Sequence, residues 1–181
     1  MIVFLTEEAS MKELLSGIIH TQYPSLHEGL DWHIIAYQGK ADLEKNIQSK
    51  MRSWNYNNPH FIILRDNDGG DCLQLKSKLA NLASETGKPH HIRIVCQELE
   101  AWLLGDADAV KKVFPHAPFH NAQRTYRNPD NLNNASQILT ELTGSPSKVS
   151  RAQDIAPHLS PSRNASKSFQ VFHKTLISLL S

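Results

Sequence analysis

Short apolar segments rich in branched side chains alternate with segments of helical periodicity through the first part of the chain. The apolar segments that predict buried strands are Ile2–Leu5, Trp32–Tyr37, Phe61–Leu64 and Ile92–Cys96. Strands that alternate with helices are typical of a parallel sheet, and strands that are apolar throughout indicate cover on both faces. The sequence therefore predicts an α/β fold built on a parallel sheet.

Helices are predicted between these strands, with starts and ends marked by short polar residues and glycine. Ser10 is predicted to cap the first helix, and 39–51 is predicted to be a polar second helix. Asp71 is predicted to cap a third helix, which ends before Gly87. A short helix is predicted over 98–104.

From about residue 107 the pattern gives way to Pro, Asn and Ser, with helices predicted near 136–142 and 167–180. The 181 residues suffice for one domain with a substantial core and a small extension. We expect an α/β domain over 1–106 and a basic, loop-rich and helical extension over 107–181 that packs on it.

Charge is divided unevenly although the net charge is +1. Residues 1–109 hold 10 basic and 15 acidic residues, whereas residues 110–181 hold 9 basic and 3 acidic residues. An acidic surface attracts cations and a basic surface attracts phosphates. An unevenly charged, solvated surface is the alternative interpretation.

The expected location is the cytoplasm, without contact to a membrane. No apolar run approaches the roughly 18–20 residues that span a bilayer. The amino-terminal segment lacks the basic residues of a signal peptide. Cys72 and Cys96 are the only cysteines, so neither a disulfide framework nor a CxxC zinc site is expected.

Acidic residues follow three of the four predicted strands. The three groups, none of which contains a lysine, are Glu7-Glu8, Asp66-x-Asp68 and Glu98-x-Glu100. Carboxyl ends of parallel strands meet at one edge, where open α/β sheets bind ligands. Clustered carboxylates repel one another unless a cation joins them. Oxygen ligands without Cys or His favour Mg²⁺ or Mn²⁺, which assist phosphoryl transfer. A solvated acidic rim is the alternative.

Basic residues in the second part of the chain are candidates for contact with nucleic acid. They are Arg124, Arg127, Arg151 and Lys167. Such residues can follow a phosphate backbone, although ordinary solubility charge explains them equally well. Lys148 or Arg151 is a candidate to supply positive charge near the metals during catalysis.

Three stretches, "VFLTEEASMKELL", "FIILRDNDGGDC" and "RIVCQELEAWLLGD", resemble the Toprim superfamily. They look closest to the small bacterial domain-of-unknown-function family 4276, with a similarity that extends to "NASKSFQVF". The resemblance implies a Toprim-like Rossmannoid core. It places Glu7 in the position of the Toprim glutamate and Asp66 and Asp68 in the positions of the metal-binding aspartates. Glu98 or Glu100 would complete the site. Glu8 stands where Toprim domains often have glycine, so either Glu7 or Glu8 can be the inward residue.

Within the Toprim superfamily the resemblance is to the OLD-family nucleases, and it implies a Mg²⁺- or Mn²⁺-dependent nuclease. Its substrate would be DNA or RNA, and its partner a separately encoded ATPase in a bacterial defence or repair system. The alternative is a catalytically inactive Toprim-like module that binds nucleic acid or a protein. A phosphoacceptor of the CheY type is a poor fit, because neither the order of the acidic strand ends nor a strand-ending lysine matches.

Overall fold

Four parallel strands form one sheet in the order β2-β1-β3-β4 in the computed structural model, which describes residues 1–119 and 126–180. The strands are β1 (Ile2–Thr6), β2 (Trp32–Ala36), β3 (His60–Asp66) and β4 (His90–Val95). The predicted α/β class and parallel sheet are confirmed, because all three strand pairs run parallel.

Eight α-helices surround the sheet within the described part of the chain. They are α1 (Ala9–Gln22), α2 (Lys40–Ser53), α3 (Cys72–Ser84), α4 (Glu100–Leu104), α5 (Ala107–Val113), α6 (Ala135–Thr143), α7 (Lys148–Ile155) and α8 (Lys167–Leu180). The sequence analysis did not predict α5 and α7. Both are short, so few apolar residues are available to show a helical periodicity. Both begin after a residue whose side chain caps the helix, Asp106 for α5 and Ser147 for α7.

The start of α1 also differs from the prediction. Ser10 lies inside the helix, and Glu8 occupies the N-cap position without a side-chain cap to the backbone. Asp71 does cap α3, since its carboxylate accepts hydrogen bonds from two amides of the first turn at 2.7 and 3.0 Å.

The sheet separates two apolar cores. Phe4, Ile62 and Leu64 face the larger core, which α1 and the helices from α4 onward cover. Val3 and Ile63 face the smaller core beneath α2 and α3. Burial of both faces explains why the strands are apolar throughout.

The carboxyl-terminal helices belong to the larger core. On α8, Phe169, Phe172 and Leu176 are fully buried, and Phe172 stacks on Trp102 with ring centroids 5.1 Å apart. This core therefore draws on both sides of residue 106, and the domain boundary expected there stays a prediction. No helix in 1–119 or 126–180 has the length and apolar character to cross a bilayer.

The register of the central strands sets the position of the acidic residues. Thr6, the last residue of β1, pairs with Leu64, so β3 runs two residues further and ends at Asp66. Asp66 in turn pairs with Val95 at the end of β4. The chain segments that follow β1, β3 and β4 therefore leave the sheet at one edge.

Candidate metal centre

Glu7 and Asp66 meet at the carboxyl edge of the two central strands. The backbone N–H of Asp66 donates a hydrogen bond to Glu7 Oε2 at 3.3 Å, across 59 residues of sequence. The contact follows from the register. Thr6 pairs with Leu64, so Glu7, which comes next, lies beside the end of β3. The structure thus brings together two residues that the sequence analysis placed at one site.

Glu7 lies at one end of a chain of alternating acidic and basic side chains. The Nε atom of Arg65 lies 3.7 Å from Glu7 Oε2, and Arg65 also bonds the carboxylate of Glu44. Lys78 completes this chain of charges at 2.7 Å from Glu44. Burial and the neighbouring Asp68 raise the pKa of Glu7, whereas Arg65 opposes that rise. Glu7 is thus held in place by a cation without being fully neutralised.

Asp66 is the least compensated carboxylate at this edge. It is 6% exposed, and its Oδ2 accepts a hydrogen bond from the N–H of Leu99 at 3.3 Å. Its Oδ1 is buried and has no hydrogen-bond partner within residues 1–119 and 126–180. Burial raises the pKa of Asp66 well above its usual range, and the charges of Glu7, Glu8 and Glu100 add to the rise. The fold thus holds this carboxylate where a proton or a cation would be favoured.

Asp68 lies in the tight turn after β3 and points toward solvent. Its φ of 48° and that of Gly69, 75°, are both left-handed, a conformation that aspartate and glycine tolerate better than most residues. Asp68 Oδ2 pairs with Lys40 at 3.1 Å. A hydrogen bond connects this turn to the segment that follows β4, because the N–H of Asp68 donates to the carbonyl of Gln97 at 3.3 Å. Asp68 is close enough to Glu7 for its charge to raise the pKa of Glu7, and Lys40 is already paired with it.

Glu8 takes a different partner from Glu7. Its Oε1 accepts a hydrogen bond from the hydroxyl of Ser10. Its charge nevertheless contributes to the raised pKa of Asp66. Glu7 contacts the end of β3 directly, so the geometry favours Glu7 over Glu8 as the inward residue of the pair.

Glu98 and Glu100 are joined by one serine. The N–H of Ser136, in the first turn of α6, donates to Glu98 Oε2 at 2.9 Å, and its hydroxyl donates to Glu100 Oε1 at 3.1 Å. Arg151 and Lys148 lie 3.2 and 3.7 Å from the same Oε1 atom. Glu100 Oε2 is buried and has no hydrogen-bond partner among the described residues. The two glutamates are thus positioned by α6 and α7.

Arg151 requires a correction to the predicted basic surface. Its side chain is fully buried and bonds Glu100, the hydroxyl of Thr140 at 2.9 Å and the carbonyl of Ser145. A buried guanidinium with these partners cannot follow a phosphate backbone on the surface. Its position indicates that it fixes Glu100.

Lys148 faces the acidic edge from α7. Its side chain is 41% exposed, and its ammonium group lies 3.7 Å from Glu100 Oε1. Burial lowers the pKa of Lys148, but the charges of Glu100, Glu8, Glu98 and Asp66 outweigh it, and the net pKa is raised. The lysine is therefore a cation directed at the same group of carboxylates.

The other predicted basic residues are dispersed. Arg124 lies outside the described residues. Arg127 is exposed and lines a cavity of about 300 Å³ together with Arg163 and Asp106. Lys167 is exposed and lines a different groove beside β4. Arg127 and Lys167 therefore do not share a cavity.

The oxygen donors at this edge fit a hard divalent cation. Asp66 Oδ1 and Glu100 Oε2 are buried acceptors without a donor in the described structure, and no Cys or His belongs to the set. A cavity of about 380 Å³ at the same edge is lined by Asp68, Gly69, Gln97, Glu98 and Asn133, and not by Asp66 or Glu100. In residues 1–119 and 126–180, however, no three carboxylate, thiol or imidazole side chains are already gathered as a complete ligand set.

Arg65, Glu44 and Ser136 were missed by the sequence analysis. Arg65 carried a signal, because a charged residue near the end of an apolar strand needs a partner. Glu44 lies on a polar helix among many charged residues, and nothing in the sequence separates it from them. The role of Ser136 depends on how α6 packs, which no local pattern records.

A family model described as a domain of unknown function, DUF4276, matches residues 5–177. A search of curated proteins found no significant match.

Two solved structures resemble the chain over most of its length. The C-terminal region of the Burkholderia pseudomallei OLD protein superposes with a TM-score of 0.54 and 17% identity, covering 98% of this chain and 97% of that one. The C-terminal region of the Xanthomonas campestris pv. campestris OLD protein gives a TM-score of 0.52 and 14% identity, covering 88% and 85%. The predicted family and the Toprim-type, OLD-like fold are confirmed.

Proposed function

The chain belongs to the DUF4276 family, and from this premise we propose that it is a Mg²⁺- or Mn²⁺-dependent phosphodiester hydrolase of nucleic acid. One observation carries the proposal. Asp66 is buried at the carboxyl edge of β3, beside Glu7, with one carboxylate oxygen that has no donor in the described structure. A buried carboxylate in such a place is stable when a proton or a cation joins it.

Asp66 and Glu7 would hold the cation, and the further ligands would come from Glu8, Asp68, Glu98 and Glu100. When bound, the divalent ion would supply positive charge to the phosphate and lower the pKa of a bound water. Arg65 holds Glu7 against the end of β3, and Arg151 with Ser136 holds Glu100 at the end of β4. These contacts fix the two ends of the site before any ion arrives.

Lys148 is the residue proposed to act on the substrate directly. Its ammonium group lies 3.7 Å from Glu100 Oε1, on a side chain that is 41% exposed. A cation fixed there would stabilise the negative charge that develops on phosphate oxygens in the transition state. The alternative role for Glu7, whose pKa is raised, is that of the acid–base group, in which case Asp66 and the other carboxylates would hold the cation.

A cleavage assay tests the proposal. We expect Mg²⁺- or Mn²⁺-dependent cleavage of DNA or RNA, reduced about 100-fold or more in Glu7→Gln and Asp66→Asn, because even outer contacts of a metal site cost 10- to 100-fold. The isosteric changes remove charge and keep size. Glu141→Gln and Asp154→Asn are matched controls on the surfaces of α6 and α7 and should leave cleavage unchanged. Cleavage that persists in EDTA, or in Asp66→Asn, would contradict the proposal.

The inactive Toprim-like module is the second candidate, and a specific observation favours it. Glu7, Asp68 and Glu100 already have Arg65, Lys40 and Arg151 beside them, so the edge is partly neutralised without a metal. Absence of cleavage on single- and double-stranded DNA and on RNA, with and without an ATPase partner, would support this function. Binding of nucleic acid would then remain to be measured.

Affinity for nucleic acid is proposed to come from the basic second part of the chain, with Arg127, Lys167 and Arg124 as contacts. We expect the plot of log K against log salt to flatten by about 1.4–1.8 in Arg127→Ala/Lys167→Ala, at roughly 0.7–0.9 per phosphate contact. Fluorescence anisotropy across a salt series measures this slope. Lys45→Ala, on the exposed side of α2, is the control. An unchanged slope in the double variant would show that Arg127 and Lys167 contribute to solubility and do not contact phosphates.

A further inference from the structure

We infer that Cys72 and Cys96 form a redox site, a pair of thiols that closes reversibly into an intramolecular disulfide. Their Sγ atoms lie 3.8 Å apart, although the residues are 24 positions apart in sequence. Both are free thiols in the structure, and both are partly exposed. This inference does not depend on the proposed function.

The two cysteines lie in different segments of the chain, which the side chain of Asn67 connects. Cys72 begins α3, directly after the turn that carries Asp68, and Cys96 follows the last residue of β4. Asn67 donates a hydrogen bond from Nδ2 to Cys72 Sγ at 3.1 Å, and its Oδ1 accepts one from the N–H of Gln97. The thiols are therefore held face to face by folded structure and do not meet by chance motion of one loop.

Closure requires a small movement. A disulfide has an S–S length of about 2.0 Å, so the two sulfur atoms must approach by about 1.8 Å. This distance is shorter than the displacement of a sulfur atom when a cysteine changes rotamer, and the partly exposed side chains have room to rotate.

A groove gives a reagent access to the pair. The groove has a volume of about 400 Å³, lies between α3, β4 and α8, and is lined by both cysteines and by apolar side chains such as Val171. Lys76, Arg93 and Lys167 also line it, together with Asp130, so that basic residues outnumber acidic ones in its lining. This charge favours an anionic thiol reagent, and glutathione disulfide is a reagent of that class.

The chemistry is a two-step thiol–disulfide exchange with glutathione disulfide as the oxidant. One protein thiolate attacks a sulfur of glutathione disulfide, whose S–S bond breaks and releases one glutathione. The second protein thiolate then attacks the mixed disulfide and releases the other glutathione. Cys72 and Cys96 lose two electrons and two protons, and the two glutathione molecules gain them.

Peptide mapping of the full chain tests the inference. The protein is equilibrated with glutathione disulfide, its free thiols are alkylated with iodoacetamide, and it is cleaved with trypsin without reduction. We expect residues 66–76 joined to residues 94–111 in one species, with the loss of two alkylation sites per chain and recovery of both after dithiothreitol. The linked fraction should not change on dilution, because the bond forms within one chain.

The controls separate this bond from ordinary thiol oxidation. Cys72→Ser and Cys96→Ser should each abolish the linked species and leave the remaining cysteine alkylated or carrying one glutathione. Because the linked peptides are identified in the wild type, the result does not require either variant to be stable. Wild-type protein in which both cysteines are alkylated, carry separate glutathiones, or link two chains would overturn the inference.

Discussion

Asp66 and Glu100 are two buried carboxylates at the same edge of the sheet, and the fold treats them differently. They are 6% and 2% exposed. Glu100 has Arg151, Lys148 and Ser136 around one of its oxygens. Asp66 accepts one backbone hydrogen bond from Leu99 and has no basic side chain in an ion pair among the described residues.

The difference separates a carboxylate whose charge the chain itself compensates from one whose charge it leaves uncompensated. A buried charge costs several kcal/mol unless it is paired, protonated or bound to a metal. The chain itself provides the counter-charge for Glu100. For Asp66 it provides burial and three neighbouring negative charges, which raise the pKa and leave compensation to something outside the chain. Three changes test whether this distinction holds.

The largest effect is expected at Arg151. Arg151→Ala should lower the free energy of unfolding by about 3–5 kcal/mol, because it leaves Glu100 buried without its main counter-charge. Urea unfolding followed by circular dichroism measures the loss. Arg151→Ala/Glu100→Gln is the matched control and should recover a large part of it, since the uncompensated charge is gone. A loss below about 1 kcal/mol in the single variant would mean that Glu100 does not depend on Arg151.

The second effect is stabilisation by metal. At a concentration one hundred times its Kd, Mn²⁺ should raise the free energy of unfolding of the wild type by about 2.7 kcal/mol. Asp66→Asn should lose this stabilisation, whereas Glu100→Gln should keep most of it. Thermal and urea unfolding with and without Mn²⁺ measure both. Equal losses in the two variants would mean that Glu100 contributes as much to binding the ion as Asp66 does, and would break the distinction.

The smallest effect is the pH dependence that Asp66 imposes without metal. The pKa of Asp66 is raised in the folded state, so the folded protein binds this proton more tightly than the unfolded chain. The stability that the proton provides is complete below the ordinary aspartate pKa of about 3.9 and is lost as the pH rises through the folded-state pKa. At neutral pH, Asp66→Asn should therefore be about 1 kcal/mol more stable than the wild type.

Unfolding across a pH series in the presence of EDTA measures that difference. Asp154→Asn, on the exposed side of α7, should follow the wild type at every pH. Parallel curves for the wild type and Asp66→Asn would show that the pKa of Asp66 is the same in the folded and unfolded states. The charge of Asp66 would then be compensated within the chain.

The fold and the position of the acidic edge could be predicted because both follow from local patterns. Each strand is apolar through its length, each acidic group comes directly after a strand, and parallel pairing then carries the groups to one edge. These patterns left open whether Glu7 or Glu8 points inward, and the contact between Glu7 and Asp66 comes from the structure.

The counter-charges could not be predicted in the same way, because they come from distant elements. The acidic groups contain no lysine, yet Lys40 comes to Asp68 from α2 and Arg151 comes to Glu100 from α7. Arg151 did carry a signal, since Ile155 follows it at the i, i+4 spacing of one helical face and is also buried. That signal depends on assigning a helix to a short segment in which little periodicity is visible.

The 59-residue separation between Glu7 and Asp66 has a consequence for how the site comes into being during folding. Parallel pairing of β1 with β3 closes a long loop, which makes it a slow and late event compared with the formation of α1 or α2. The contact between Glu7 and Asp66 does not exist in any partly folded chain in which these strands are apart. Hydrogen exchange at the amide of Asp66, which donates to Glu7, should therefore report the separation of β1 from β3.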